Sequence, residues 1–389
     1  MAESAYPTEL TGPSHHVQIG QDGRRLVLFF GAKDLAIEHF NFFQLGRELP
    51  DTLIFLNNGA NDWYQYGIPG FGDDFDSSVA TLKQWQEAVG ATEICTVGTS
   101  MGAYGAIQYG AALGARVLSF ATDTVLNALH TQSAQHFIGT QPPSCPDLRA
   151  LLPDYAENIT LLVGERDPVD LYSAWQLQQE GPINVISLIG ADHIVPTFLS
   201  RRARLGPLLR AFVNGKKLPD QPDAGRAIVT KGYCEAIFTA HDAAIERNWP
   251  TVEIHARAAL ERYPYGEAAS LLLGRALLQQ EHYEDAIVWL ASAVASAPND
   301  YATQTQLAAA YRHLGGDARA RQIHTQILAQ NPGYHPSHFA LGIIKLTEGD
   351  LAGADKSVRR ALRIAPTSKA YKSRLKNITA RIAAAKKKS

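Results

Sequence analysis

The sequence predicts two differently built halves: an α/β domain with a mainly parallel sheet, followed by an all-α solenoid of stacked helical hairpins. Three observations lead there. Short apolar runs alternate with amphipathic segments across residues 16–213, the pattern of a sheet covered by helices on both faces. In the second half, Pro264, Pro298, Pro332 and Pro366 follow one another at intervals of 34 residues, a period that means repeated helical hairpins. The charge divides as well: residues 1–220 carry 14 basic and 23 acidic side chains, residues 221–389 carry 22 and 15.

The expected strands begin with His16–Ile19 and Leu26–Phe30. Joined through Gln21-Asp22-Gly23, they read as an antiparallel hairpin at the sheet edge. Leu53–Leu56, Ile94–Val97, Val117–Phe120, Thr160–Val163 and Val185–Leu188 continue the sheet, with helices expected at Ile37–Leu49, Ser77–Gly90, Gly102–Leu113, Leu171–Gln179 and Thr197–Val213. The first domain spans 1–213, with an insertion at about 124–158 that contains Gln141-Pro142-Pro143-Ser144-Cys145-Pro146. It is the natural place for a cap or lid. Residues 214–232 mix Pro, Gly and charge without apolar periodicity and read as a linker.

Other positions of the second half keep the proline phase, with small residues at Ala240, Gly274, Ala308 and Gly342 and again at Ala286, Ala320 and Ala354. Small side chains let helices approach and stack. On Leu273-Gly274, Tyr283, Ala286 and Pro298 the chain resembles the tetratricopeptide repeat (TPR) family, in four units covering 233–266, 267–300, 301–334 and 335–368. Thr239, Ala243 and Pro250 depart from that pattern, and His324 takes a usually apolar core position. The groove of such an array would be lined by first-helix positions, here Leu271, Arg275, Thr305, Arg312, Phe339 and Ile343. Residues 369–389 read as a basic capping helix; from Lys356 to Ser389 there are twelve Lys or Arg and no acid. A solvated cap or peripheral contact with an anionic surface both fit.

Composition narrows the chemistry. A formal charge of -2 gives no global field for nucleic acid. Three scattered cysteines make neither a disulfide framework nor a zinc cluster, and no cofactor or metal motif is visible. The longest apolar stretch falls far short of the roughly 18 residues a membrane helix needs. The expectation is a cytoplasmic protein without a cofactor.

After the strand Ile94–Val97 comes Gly98-Thr99-Ser100-Met101-Gly102, a G-x-S-x-G turn leading into a helix. Glycines flank a serine in this way where strand and helix must pass closely at a strained turn. A serine hydroxyl needs a base, and the base needs an anionic partner. His193 follows the last strand, and Asp167 follows the strand before it, with Asp170 as the rival acid. The oxyanion would need the N–H of Met101 and one from Gly31-Ala32-Lys33, with Ala32 favoured. The loop from Asn57 to Asp76 holds Trp63, Tyr64, Tyr66 and Phe71, which would either stack on a substrate or anchor the loop against the sheet.

Taken as a set, residues 16–213 resemble the α/β-hydrolase family. More narrowly, Asp62-Trp63-Tyr64 and the run from Thr96 through Gly102-Ala103-Tyr104-Gly105-Ala106 to Tyr109-Gly110-Ala111 are similar to surface-glycan O-acetyltransferase-like hydrolases. The resemblance implies a serine esterase acting on a small-molecule or glycan ester, with a protein partner on the repeats. An acyltransferase with the same triad is the first alternative and a non-catalytic repeat scaffold the second.

Overall fold

The computed structural model describes residues 9–139 and 141–386. Expectations that touch residues 1–8, Thr140 and residues 387–389 lie outside the described residues. The strands are β1 (Glu9–Gly12), β2 (His15–Gln18), β3 (Asp22–Phe30), β4 (Asp51–Leu56), β5 (Glu93–Thr99), β6 (Arg116–Phe120), β7 (Ile159–Gly164) and β8 (Asn184–Leu188). Helices α1 (Phe43–Gly46), α2 (Phe75–Ala88), α3 (Met101–Leu113), α4 (Gln132–His136), α5 (Pro168–Glu180), α6 (Val195–Ser200) and α7 (Leu205–Val213) connect them.

The result is one mixed sheet in the order β1-β2-β4-β3-β5-β6-β7-β8. Leu26 to Phe30 are at most 1% exposed on either face, so β3 belongs in the interior of the sheet. It pairs in parallel with β4 and β5. The expected hairpin between His16–Ile19 and Leu26–Phe30 does not form. Strand β2 instead pairs antiparallel with β1 and with β4, because the tight turn at Pro13-Ser14 folds β1 onto it. The helix expected over Ile37–Leu49 shrinks to α1, since Glu38 and Phe42 hold left-handed backbones (φ 65 and 62) that no α-helix admits. The helix expected over Thr197–Val213 divides into α6 and α7 around Ala203, which is also left-handed.

The chain divides into two compact units, the described residues up to Asp242 together with Ala259–Ala268, and Ala243–Ala258 together with the residues from Ala269 onward. The segment expected to be a linker is docked in the first unit. Ile189 N–H donates to Asp223 O and Gly225 N–H to Ser187 O, both at 2.8 Å. Leu188 and Ala224 form a β-bridge along β8. Beneath this strap the fully buried Glu165 accepts from Ser187 Oγ (2.7 Å) and Ala227 N–H (2.9 Å). A buried carboxylate must be hydrogen-bonded, and the strap supplies one of its donors.

The rest of the chain is all helical: α8 (Tyr233–Ile245), α9 (Trp249–Arg262), α10 (Glu267–Gln279), α11 (Tyr283–Ser296), α12 (Tyr301–His313), α13 (Asp317–Gln330), α14 (His335–Thr347), α15 (Leu351–Ile364) and α16 (Lys369–Lys386). This is a TPR-like array of helical hairpins. Its repeat shows in what each second helix buries: Ala286, Leu290 and Ala293 on α11, Ala320 and Ile327 on α13, Ala354, Val358 and Ala361 on α15.

His324 on α13 is tolerated in this core because its Nδ1 lies 3.0 Å from Ser337 Oγ. Burial, with Arg312 adding, pulls its pKa down to about 4. A histidine depressed below its unfolded value of about 6.5 contributes stability that is fully present above that value. Below it the unfolded chain takes the proton first, so the contribution is lost as pH falls towards about 4. The repeats should therefore lose about 3 kcal/mol across that window. His324→Leu should abolish that part of the pH dependence in urea melts at pH 7 and pH 4.5.

Candidate functional site

Strand β5 delivers Ser100 at the carboxyl edge of the sheet, and α3 begins at the next residue. Its backbone, φ 55 and ψ -122, is strained for any residue with a side chain. The strain is held by close passage of strand and helix. A Cβ on Gly98 would sit 2.0 Å from Gly102 O, and one on Gly102 2.3 Å from Phe30 O. The Ser100 amide is fixed from behind by Phe120 O and Ala121 O at 3.0 and 2.9 Å.

His193 follows β8, and its Nε2 lies 2.9 Å from Ser100 Oγ. Its Nδ1 faces Asp170, 3.0 Å from Oδ1 and 2.9 Å from Oδ2. An ionised carboxylate only accepts, so Nδ1 carries the hydrogen, and when the imidazole is neutral Nε2 offers its lone pair to the serine hydroxyl. The acid favoured by sequence, Asp167, is not the one hydrogen-bonded to the imidazole. Pro168 opens α5 and makes Asp167 its N-cap, whose Oδ1 accepts from the amides of Val169 (2.9 Å) and Asp170 (3.1 Å).

The site is electrostatically loaded. Burial pushes Asp170 up to about 7, with the like charge of Asp167 adding and His193 opposing. Burial alone would lower His193, but the carboxylate and hydrogen bond of Asp170 outweigh it and raise it to about 9. A further acid that sequence reading missed, the buried Asp123, also raises His193. Asp123 accepts from the Ser133 amide at 2.8 Å at the start of α4. Asp167, Asp170 and His193 bring donor atoms within 4.8 Å of one another.

Of the two expected oxyanion donors, Met101 has its N–H in the first turn of α3, where no intrahelical acceptor exists. Ala32 is a correction. Its N–H donates to Asn41 Oδ1 at 2.7 Å, and the Gly31 amide is taken by Leu56 O and Tyr64 Oη, both at 2.8 Å. The Lys33 ammonium pairs with Asp34 at 2.8 Å.

The aromatic residues singled out as substrate contacts are mostly anchors. Trp63 and Tyr64 are 0% exposed, and both adopt left-handed backbones (φ 53 and 60) that turn them into the core. Tyr64 Oη both accepts from Gly31 and donates back to Gly31 O or Leu56 O, pinning the turn after β3. Tyr66 donates to Gln141 O at 2.6 Å and ties the loop to the 124–158 insertion. Phe71 is 4% exposed and sits edge-on to His15. Sequence gives the composition of this loop but not the sign of φ.

On the repeats, Arg275 and Arg312 are half-buried and have no carboxylate partner among the described residues. Arg275 lines a cavity of about 380 Å³ with Arg247, Trp249 and Gln306. Phe339 is not open groove, because Tyr371 of the capping helix stacks on it at 4.4 Å between ring centroids. Among the described residues no helix is long and apolar enough to cross a membrane.

No family model and no curated protein matches the chain. Solved structures do resemble part of it. One is the first TPR domain of Spaghetti (RPAP3) bound to the HSP90 peptide SRMEEVD, at 22% identity and a TM-score of 0.28, covering 30% of this chain and 93% of that one. MamA of Desulfovibrio magneticus RS-1 shares 12% identity with a TM-score of 0.35, covering 39% and 85% of the two chains. TTC0263, a TPR protein of Thermus thermophilus, shares 19% with a TM-score of 0.34, covering 38% and 82%.

Proposed function

We propose that the first unit is an α/β-hydrolase-type serine esterase and that the repeats bring it to another protein. One observation carries the catalytic part: Ser100 Oγ, His193 and Asp170 form a continuous hydrogen-bonded chain at a strained strand-to-helix turn. The order serine, aspartate, histidine along the chain is the one that esterases of this architecture use. In the reaction, Ser100 Oγ attacks the ester carbonyl carbon while its proton passes to His193 Nε2. Met101 N–H would stabilise the oxyanion. Collapse of the intermediate expels the alcohol, which takes the proton from Nε2. Water then attacks the acyl-serine with His193 again as base, releasing the acid and restoring the hydroxyl.

A second reading, closer to the solved structures that the chain resembles, is a non-catalytic scaffold. The hairpin array supports it, since such arrays present an extended groove to a partner segment, and Arg275 lines a cavity between the helices. A fluorophosphonate probe separates the readings. The esterase should be labelled once per chain and Ser100→Ala not at all. Wild type that is never labelled, or Ser100→Ala labelled equally, would leave the scaffold.

A further inference from the structure

Among the described residues up to Val213, the large apolar side chains left exposed are Ile37, Leu129, Ile138 and Ile194, at 60%, 58%, 65% and 58%. Ile37 lies on the loop after β3, Leu129 and Ile138 on the segment after β6, and Ile194 on the loop after β8. All three connections leave the carboxyl edge of the sheet, where Ser100 ends β5 between β3 and β6. Of the four, Ile194 lines a cleft at that edge.

An open cleft of about 780 Å³ lies at the same edge. Its lining includes Thr99, which precedes Ser100, and Ile194, which follows His193. Leu35, Phe40 and Phe42 come from the loop after β3 and Pro196 from α6, and the charged Glu38 and Arg201 also line it. Phe42 holds its left-handed backbone while packing on Phe29 and Phe120 at centroid distances of 5.9 and 5.8 Å. A bulky residue keeps such a conformation only where its surroundings enforce it. The loop is thus fixed with its aromatic side chains half-exposed towards the cleft.

We propose that this cleft holds the hydrocarbon portion of the acyl group, so that the substrates are esters of medium-chain fatty acids rather than acetyl esters. This rests on the hydrolase reading. Acetyl would leave the apolar part of the wall, Leu35, Phe40, Phe42, Ile194 and Pro196, wet, whereas a chain of about six to ten carbons suits a cleft of the usual ligand size. Each methylene taken from water is worth up to about fourfold in binding.

The test is hydrolysis of the 4-nitrophenyl esters of acetate, butyrate, hexanoate and octanoate by the full chain. From acetate to octanoate, kcat/KM should rise by at least about tenfold. Thr197→Trp, an exposed position on the cleft wall, should lower the octanoate-to-acetate ratio by a comparable factor. A flat series, a series falling from acetate, or no turnover by protein that the fluorophosphonate probe still labels would overturn the inference and leave the hydrolase reading standing. No turnover together with no labelling would remove the hydrolase reading and this inference with it.

Discussion

Asp170→Asn should lower kcat for ester hydrolysis by about 10⁴-fold, while Asp167→Asn should cost less than about tenfold. The two acids are three residues apart and differ in what their oxygens do. Asp170 receives the imidazole N–H with both oxygens in range. An amide there can turn its NH₂ to Nδ1 and fix the wrong tautomer, with the proton on Nε2, where no lone pair is left for the serine. Asp167 caps α5, a duty that asparagine performs equally well. The pH profile provides a second readout. His193 acts as base only when neutral, so wild-type kcat/KM should rise with pH through a value raised to about 9. Without the Asp170 carboxylate, burial is left to pull the imidazole down, and the limb should move to lower pH in Asp170→Asn. Equal losses for the two variants would show that the assignment of the acid is wrong.

Gly98→Ala should be nearly as damaging by a different route. The added methyl would lie 2.0 Å from Gly102 O and 2.3 Å from Gly102 C, both backbone atoms that no rotamer change can remove. Either α3 backs away from β5 or the elbow deforms. Overpacking of this kind typically costs about 1–3 kcal/mol and here should reach the upper end. Displacing a nucleophile by about 1 Å removes about two orders of magnitude in rate. Denaturant melts of Gly98→Ala and its residual esterase rate measure the two effects separately. A variant as stable and active as wild type would show that strand and helix do not need to touch.

Much of this site is legible in the chain because a few residues carry strong local constraints. A serine between glycines after a β-branched strand has few structural uses, and a histidine directly after the last strand must lie at the same edge. Between the acids there was a usable signal. Proline at the first helical position makes the residue before it the cap, which removes Asp167 and leaves Asp170 on the first turn. The burial of Trp63 and Tyr64 and the engagement of Ala32 by Asn41 were not legible. They depend on left-handed backbones and on a side chain nine residues away. The hairpin repeat was easy to read because one helix-pair length sets its period. The placement of β2 was not, since it depends on which neighbour buries β3 best.

Docking of residues 223–227 along β8 has a consequence for dissecting the protein. A fragment stopped at Val213, where the sheet elements end, would uncover the outer ladder of β8 and take from Glu165 the Ala227 amide it needs. Such a piece invites edge-to-edge association between molecules. The point at which the sheet can be separated and kept whole lies beyond Ala268, and the connecting stretch cannot be exchanged for a flexible spacer.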